Sequence, residues 1–270
     1  MNNGISKTIV LATVTARYTH TAIGLRWLYA NMGPWQDQTV VREFVLGTPP
    51  LQIVESILSH HPRIVGLGVY IWNIDVLTQV GKALKAIRPD ITLVLGGPEI
   101  SYEYEKEPLF HAADYLICGE AERAFPELTK RILNGEIIGE KVISADCPPL
   151  ETLQLPYRTY TDEDIAKRII YVESTRGCPF RCAFCLSSRE PALRTFPEPA
   201  LMSELHLLIM RGVKRFTFVD RTFNLDETHV KSLLRFFLDH WTDGMQLHLE
   251  ILPDRLTKNM IDVLAQFPEK

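Results

Sequence analysis

The chain has 270 residues, of which 46% are hydrophobic and 23% are charged, with 29 basic and 33 acidic side chains. This is the composition of an ordinary globular protein, so it excludes intrinsic disorder, collagen-like repeats and a coiled coil, and the length predicts about two domains. The formal net charge of −4 provides no general attraction to nucleic acid or to an anionic membrane.

The first half of the chain alternates short β-branched runs with helical patterns. Its predicted strands cover residues 8–14, 39–45, 63–70, 91–95 and 114–117. The predicted helices lie near residues 22–31, 51–58, 77–87 and 122–133. Nearly continuous apolar strands that alternate with amphipathic helices are typical of βαβ units, whose parallel sheet is covered on both faces. Residues 1–140 are therefore predicted to form a doubly wound α/β domain of flavodoxin-like or Rossmann type, which binds ligands beyond the carboxyl ends of its strands.

A change in character follows, because residues 141–168 contain several prolines and little periodicity, which predicts a linker. A second β/α series then begins. Its predicted strands cover residues 169–173, 215–219 and 246–251, each followed by a helix. Since an eight-stranded barrel needs ~250 residues, the three β/α units of residues 169–270 cannot close into a barrel. We expect either that the chain is a fragment of a longer one or that something else covers the edge of its last strand.

The most informative segment is the loop after the strand predicted at 169–173. There Cys178, Cys182 and Cys185 have the spacing C-x3-C-x2-C. Iron–sulfur clusters are held by thiolates, normally four, so three leave one iron of a cubane cluster open for a non-protein ligand. Structural zinc is the alternative, but it usually needs four ligands in two paired knuckles, and only a distant His206 stands out as a further ligand.

The chain has five cysteines, and this number also indicates the cellular compartment. The number is odd, and the amino terminus lacks the charged-then-apolar layout of a secretory signal. We therefore expect no disulfide framework, and we expect the protein to lie in a reducing, cytoplasmic environment.

The cysteine loop resembles that of the radical S-adenosylmethionine (SAM) superfamily, in which C-x3-C-x2-C binds a 4Fe-4S cluster. The first half looks like a cobalamin-binding domain, and the two halves in this order resemble cobalamin-dependent radical SAM enzymes. The nearest subgroup is one with a carboxy-terminal domain of unknown function. The resemblance extends over essentially the whole chain and rests on residues 16–20 (ARYTH), 171–178 (YVESTRGC) and 220–224 (DRTFN).

This resemblance implies that residues 169–270 form the amino-terminal part of a radical SAM (β/α) barrel, and it implies roles for individual residues there. Cys178, Cys182 and Cys185 would hold the cluster, and the open iron would take the amino and carboxylate groups of SAM. Phe184, before the third cysteine, would lie near the adenine. Asp220 ends the second strand, where many relatives have a Gly-Gly-Glu motif that contacts the methionine amino group and that is absent here. Asp220 and, after the third strand, Glu250 are expected to face the mouth of the partial barrel.

In cobalamin domains the loops after the strands surround the cofactor, so the resemblance implies binding residues in four loops. They are Tyr18 and His20; Tyr70, Trp72 and Asn73; Gly96, Gly97, Pro98 and Glu99; and Gly119 and Glu120. Glycines allow close approach of the backbone to a bulky ligand, although a tight turn also requires them, and the acidic residues can equally start the next helix. For His20 a hydrogen-bonding role is favoured over ligation of cobalt, because the signature Asp-x-His-x-x-Gly is absent. Tyr18, Tyr70, Trp72 or water would then approach the lower face of the corrin.

By the same resemblance, the complete enzyme would cleave SAM to a 5′-deoxyadenosyl radical, and methylcobalamin would deliver a methyl group to an unactivated carbon. We therefore predict a methyltransferase with a small-molecule or unknown substrate and an electron donor such as flavodoxin or ferredoxin. Radical cyclisation or rearrangement is an alternative reaction. A cobalamin- and cluster-binding module without turnover and a zinc-binding scaffold are the alternatives from other classes. No membrane span is expected, because no apolar run approaches the ~20 residues that one needs.

Overall fold

The computed structural model describes residues 8–189 and 192–268. The chain divides into two compact units, Met1–Thr159 and Tyr160–Lys270. The described part of the chain contains no helix long and apolar enough to cross a membrane.

The described part of the first unit has one six-stranded sheet with helices between the strands. Its strands are β1 Ile9–Thr15, β2 Thr39–Val45, β3 Ile64–Gly68, β4 Thr92–Gly96, β5 Tyr115–Cys118 and β6 Val142–Ser144. Its helices are α1 Ile23–Ala30, α2 Pro50–Leu58, α3 Ile74–Ile87, α4 Pro108–Ala112 and α5 Ala121–Leu133. Neighbouring strands are parallel in the order β2-β1-β3-β4-β5-β6. The first five follow the flavodoxin-like order, so the predicted doubly wound fold is confirmed.

Alternate residues of β1 show how the sheet is covered on both faces. All seven residues of β1 are buried. Val10, Ala12 and Val14 belong to one core cluster, which includes the apolar faces of α2 and α3. Ile9 and Leu11 belong to a second cluster, which includes residues of α1 and α5. Since successive side chains of a strand point to opposite faces, a continuous apolar run is the pattern that this two-sided burial requires.

The stretch predicted as a linker differs in the structure. Val142–Ser144 pairs with β5 as the sixth strand, and the division between the units falls after Thr159. The strand has three residues and no fully buried side chain, so it lacks the long apolar run that identified the other five. The helix α4 and the 3-10 turns of this unit are similarly short. Those turns are Gly33–Gln38, Tyr104–Lys106, Leu150–Thr152 and Tyr157–Thr159.

The second unit begins with a short helix and continues as the predicted β/α series. Its strands are β7 Ile170–Val172, β8 Thr175–Arg176, β9 Arg194–Thr195, β10 Arg215–Phe218 and β11 Gln246–His248. Its helices are α6 Asp162–Lys167, α7 Glu198–Met210, α8 Glu227–Asp239 and α9 Lys258–Leu264, with 3-10 turns at Leu186–Arg189 and Pro253–Arg255. In its described part, β7, β10 and β11 form a parallel sheet with β10 in the middle. Their carboxyl ends therefore lie at one edge, as the sequence predicted.

Candidate functional site

The predicted residues of the first unit lie in the loops that follow β1, β3, β4 and β5. Because these strands are parallel neighbours, the four loops lie along one edge of the sheet. Tyr18 and Trp72 are among the exposed large hydrophobic residues of this edge, and Trp72 has 46% of its surface exposed. An apolar surface that water can reach at this position is suited to a flat, partly apolar ligand.

Trp72 is fixed from two sides. Its ring stacks on that of Tyr70, with centroids 4.6 Å apart and an angle of 9° between the planes. Its indole Nε1 donates a hydrogen bond of 3.0 Å to the carbonyl of Val14 at the end of β1. Aromatic pairs of this kind are worth about 0.5–1.5 kcal/mol beyond the area that they bury. The exposed part of the indole is therefore held in a defined orientation.

Asn73 was predicted to bind a ligand, and the structure gives its side chain another role. It is fully buried, at 0% exposure. Its Nδ2 donates to Thr13 Oγ1 at 3.1 Å and to the carbonyls of Val14 and Gly68 at 3.0 and 3.2 Å. Its Oδ1 accepts the N–H of Tyr70 at 2.8 Å. Asn73 thus ties the β3 loop to β1 and has no surface to offer a ligand.

The glycines after β4 and β5 are required by the protein's own backbone. Gly97 has φ +112°, and a Cβ there would overlap the carbonyl oxygen of Val69 and lie 2.9 Å from its nitrogen. Gly119 has φ +98°, and a Cβ there would lie 2.9 Å from the carbonyl oxygen of Ala145. Both conformations are ones that glycine adopts without steric cost. A tight turn therefore explains both glycines, and their bare backbone also leaves room at the edge of the sheet.

The other predicted residues of this edge differ in exposure. Pro98 is exposed, whereas Gly96, Glu99, Glu120 and His20 are half-buried. The backbone N–H of His20 donates to the carbonyl of Arg17 at 3.1 Å, which closes the turn after β1.

The cysteine loop of the second unit is closed at its base. The two-residue strands β8 and β9 pair antiparallel, with Thr175 opposite Thr195 and Arg176 opposite Arg194. Gly177, with φ +86°, starts the loop immediately after this ladder. The thiols therefore lie on an irregular segment with its ends held together.

The three cysteines differ in their surroundings. Cys178 is buried at 8% exposure, Cys182 is exposed and Cys185 is half-buried. The N–H of Cys185 donates to the carbonyl of Cys182 at 3.1 Å, so these two share one turn. Among the described residues, no three His, Cys, Asp or Glu side chains lie together as a metal-binding group. Cys178 is thus set apart from the other two by its burial, and the role of the three thiols as cluster ligands stays a prediction.

Cys185 lies in a setting that favours its thiolate. The backbone N–H of Ser187 lowers the pKa of the Cys185 thiol, and the Ser187 hydroxyl, the charge of Arg221 and the N–H of Ser188 act in the same direction. Donors aimed at sulfur are what a thiolate ligand of iron requires. The donor set of the loop therefore suits an iron–sulfur cluster chemically.

The remaining predicted residues of this unit fall into two groups. Phe184 and Glu250 are exposed, and the exposed fraction of Phe184 is 93%. Asp220, expected to contact a ligand, is instead 1% exposed. Its carboxylate accepts hydrogen bonds from the N–H and hydroxyl of Ser174 and from the hydroxyl of Thr175. These three hydrogen bonds fix the segment that leads into the cysteine loop.

Sequence reasoning missed the partners of Asp220. Ser174 and Thr175 come directly before the cysteine motif, and His229 lies on the buried face of α8 beside Val230. A histidine among the apolar positions of a helix was an available signal, since a buried histidine needs hydrogen-bond partners. The fold brings it to Ser174, at 3.1 Å from Nε2 to Oγ.

The chain is similar to one family model and to several curated proteins. Residues 9–129 match the family model described as B12 binding domain. An uncharacterised methyltransferase of Pyrococcus horikoshii is 25% identical over 233 residues, which cover 77% of this chain and 50% of that protein. The cobalamin-dependent radical SAM methyltransferase TokK of Streptomyces tokunonensis is 25% identical over 212 residues, 67% of this chain and 30% of that protein. The chain thus spans half or less of the length of these curated relatives.

Among solved structures, the chain resembles the radical SAM methyltransferase TsrM of Kitasatospora setae with cobalamin and a [4Fe-4S] cluster bound. The TM-score is 0.72 at 15% identity, over 96% of this chain and 57% of that one. This likeness supports the fold of both units. Residues 9–129 are therefore a B12-binding domain, in a chain that is a relative of the cobalamin-dependent radical SAM methyltransferases.

Proposed function

We propose that this chain binds cobalamin and a 4Fe-4S cluster and takes part in cobalamin-dependent radical SAM chemistry, with methyl transfer to an unactivated carbon as its reaction. The observation that carries the proposal is a C-x3-C-x2-C loop, closed at its base by β8 and β9, in the same chain as a B12-binding domain. The substrate class that we propose is a small molecule, and a flavodoxin or ferredoxin would supply electrons.

The cluster would be held by Cys178, Cys182 and Cys185. When bound, it supplies the electron that cleaves SAM, and cobalamin supplies the carrier of the methyl group. The protein's part is to lower the pKa of the Cys185 thiol through the Ser187 N–H, which favours the thiolate, and to close the base of the loop. The exposed ring of Phe184 offers a flat apolar surface on which an adenine can stack.

Cobalamin would lie at the carboxyl edge of the first sheet. The exposed rings of Tyr18 and Trp72 provide apolar surface for the corrin, and the backbone at Gly97 and Gly119 carries no side chain that would block the nucleotide tail. In this proposal His20 hydrogen-bonds within its loop or to the ligand and does not ligate cobalt.

The cluster is tested by anaerobic reconstitution of the chain with iron and sulfide. We expect a brown protein with broad visible absorbance, loss of that absorbance in Cys182→Ala, and no effect of Cys147→Ala, which removes an exposed thiol outside the motif. A colourless protein that contains zinc would contradict the proposal and support the zinc scaffold.

Turnover and cobalamin binding need separate assays. With SAM and a reductant, formation of 5′-deoxyadenosine supports the enzyme, whereas a bound cluster and cobalamin without this product support the module without turnover. For cobalamin, we expect Trp72→Ala to lower retention on gel filtration and Trp72→Phe to preserve most of it. Equal retention by Trp72→Ala and the unsubstituted chain would contradict the assignment of this edge.

A further inference from the structure

A buried chain of polar side chains in the second unit begins at Asp220. Its Oδ1 accepts hydrogen bonds of 2.6 Å from the hydroxyls of Ser174 and Thr175, and its Oδ2 accepts the Ser174 N–H at 3.1 Å. Asp220 and Ser174 are both almost fully buried. A buried carboxylate is stable only when donors of this kind replace its water, so the three bonds fix where Ser174 lies.

The chain continues from Ser174 to α8 and α7. His229, buried on α8, has Nε2 3.1 Å from Ser174 Oγ and Nδ1 2.9 Å from Glu198 Oε1. The other oxygen of Glu198 accepts the hydroxyl of Ser232 at 2.7 Å. The tautomer of His229 decides which ring nitrogen donates, and in either tautomer the ring connects Glu198 of α7 to Ser174 at the start of the cysteine loop.

The loop after β10 makes a second contact with the same segment. Thr222 Oγ1 lies 3.7 Å from Cys178 Sγ and donates its own proton to the carbonyl of Arg221 at 2.8 Å. The oxygen of Thr222 is thus an acceptor for the thiol of Cys178. Asp220 and Thr222, two residues apart, hold the segment at Ser174 and at Cys178.

These contacts distinguish Cys178 from the other two cysteines. Cys178 is buried and attached to the loop after β10, whereas Cys182 is exposed and Cys185 is half-buried. We propose that His229 is a positioning residue, which acts through Ser174 and Asp220 to fix the position of Cys178 before any cluster binds. Cys178 is then the fixed ligand, and Cys182 and Cys185 close onto the cluster afterwards. This inference rests on the proposed function for its purpose, whereas the contacts that carry it are among the protein's own residues.

The test uses the metal-free 270-residue chain and measures the alkylation rate of each cysteine by iodoacetamide and mass spectrometry. In the unsubstituted chain we expect Cys178 to be the slowest of the three, because local opening must precede its reaction. Ser174→Ala and His229→Gln should each raise the Cys178 rate about tenfold or more, since each breaks a hydrogen bond to a buried group. The urea unfolding curve of each variant, followed by circular dichroism, should keep the transition of the second unit, which separates local release of Cys178 from unfolding of that unit.

Matched variants sharpen the result. Thr222→Val should also raise the Cys178 rate, and Thr222→Ser, which keeps the hydroxyl, should restore it. Asp239→Asn removes an exposed carboxylate at the end of α8 and should change nothing. If Ser174→Ala unfolds the second unit, circular dichroism will show the loss of its transition, and His229→Gln and Thr222→Val then decide.

The inference is overturned if Cys178 reacts as fast as Cys182 in the unsubstituted chain, or if the folded His229→Gln and Thr222→Val variants leave its rate unchanged. Iron uptake is measured on the same samples. Slow Cys178 labelling without iron uptake by the unsubstituted chain would contradict the proposed function and leave the positioning of Cys178 intact. Iron uptake by a chain whose Cys178 is labelled rapidly would support the proposed function and contradict the positioning of Cys178.

Discussion

Replacing Gly97 by alanine tests whether the turn after β4 exists for the protein's own backbone or for a ligand. Gly97 has φ +112°, and the N–H of Val69 donates to the carbonyl of Gly96 at 2.8 Å beside it. An alanine would bring its Cβ into the carbonyl oxygen of Val69. Because both groups belong to the backbone, neither can move aside by changing a rotamer.

The expected loss follows from two terms. A residue other than glycine at positive φ costs about 1–2 kcal/mol. Overpacking in a closed region costs typically about 1–3 kcal/mol more. Gly97→Ala should therefore lower the free energy of unfolding by about 2–5 kcal/mol.

Gly47→Ala is the matched control. Gly47 has φ +95°, but among the described residues no atom lies within 4 Å of the position that its Cβ would take. Gly47→Ala should therefore lose only the cost of a positive φ, about 1–2 kcal/mol, and the lower entropy of the unfolded chain should partly offset this loss. Urea unfolding of the two variants, followed by circular dichroism and cobalamin retention, measures the difference. Equal losses of stability would refute the steric reasoning, and a stable Gly97→Ala that no longer retains cobalamin would assign the glycine to the ligand.

Three further variants test other contacts. Arg26 contacts the Glu43 carboxylate at 2.8 Å, and both side chains are at most 10% exposed. Because Arg26→Met removes this ion pair from a buried site, calorimetry should show a loss of stability of about 3 kcal/mol, which the double variant Arg26→Met, Glu43→Gln should partly recover. Asp226→Ala removes the cap that accepts the N–H groups of the first turn of α8 and should cost about 1 kcal/mol in urea unfolding. Burial and the nearby Glu105 raise the pKa of the Cys118 thiol. At about pH 8 a smaller fraction of Cys118 than of glutathione is therefore thiolate. As the pH is raised, the alkylation rate of Cys118 should continue to increase after the rate of glutathione has become constant.

The sequence predicted the elements whose pattern is long and one-sided. β1 to β5, α1 to α3 and α5 were predicted within a few residues of their observed bounds, because a two-sided sheet requires apolar runs and its helices require an apolar face. β6 has three residues and takes its place only by pairing with β5. No periodicity exists over so short a segment, so its membership of the sheet depends on tertiary contacts that a pattern cannot contain.

The site shows the same limit at the level of single residues. Topology predicted correctly that the loops after parallel strands share an edge, which places Trp72 and Gly97 on one side of the first sheet. Topology did not predict that Asn73 and Asp220 turn inward. Whether a polar side chain at a strand end faces solvent or ties two loops together depends on which donors the fold brings to it, and His229 reaches Ser174 across 55 residues of sequence.

Exposure separates the candidate residues into two kinds, and substitution should separate them in the same way. Phe184 is almost fully exposed, so Phe184→Ala should leave the free energy of unfolding within about 0.5 kcal/mol and should weaken only the binding of SAM. Asp220→Ala removes the acceptor of three buried donors and should lower that free energy by about 3 kcal/mol or more, whether or not a ligand is present. Urea unfolding of the metal-free chain measures both. If Asp220→Ala is as stable as Phe184→Ala, the carboxylate is not a framework group, and direct contact with the methionine amino group becomes the better account of its place at the end of β10.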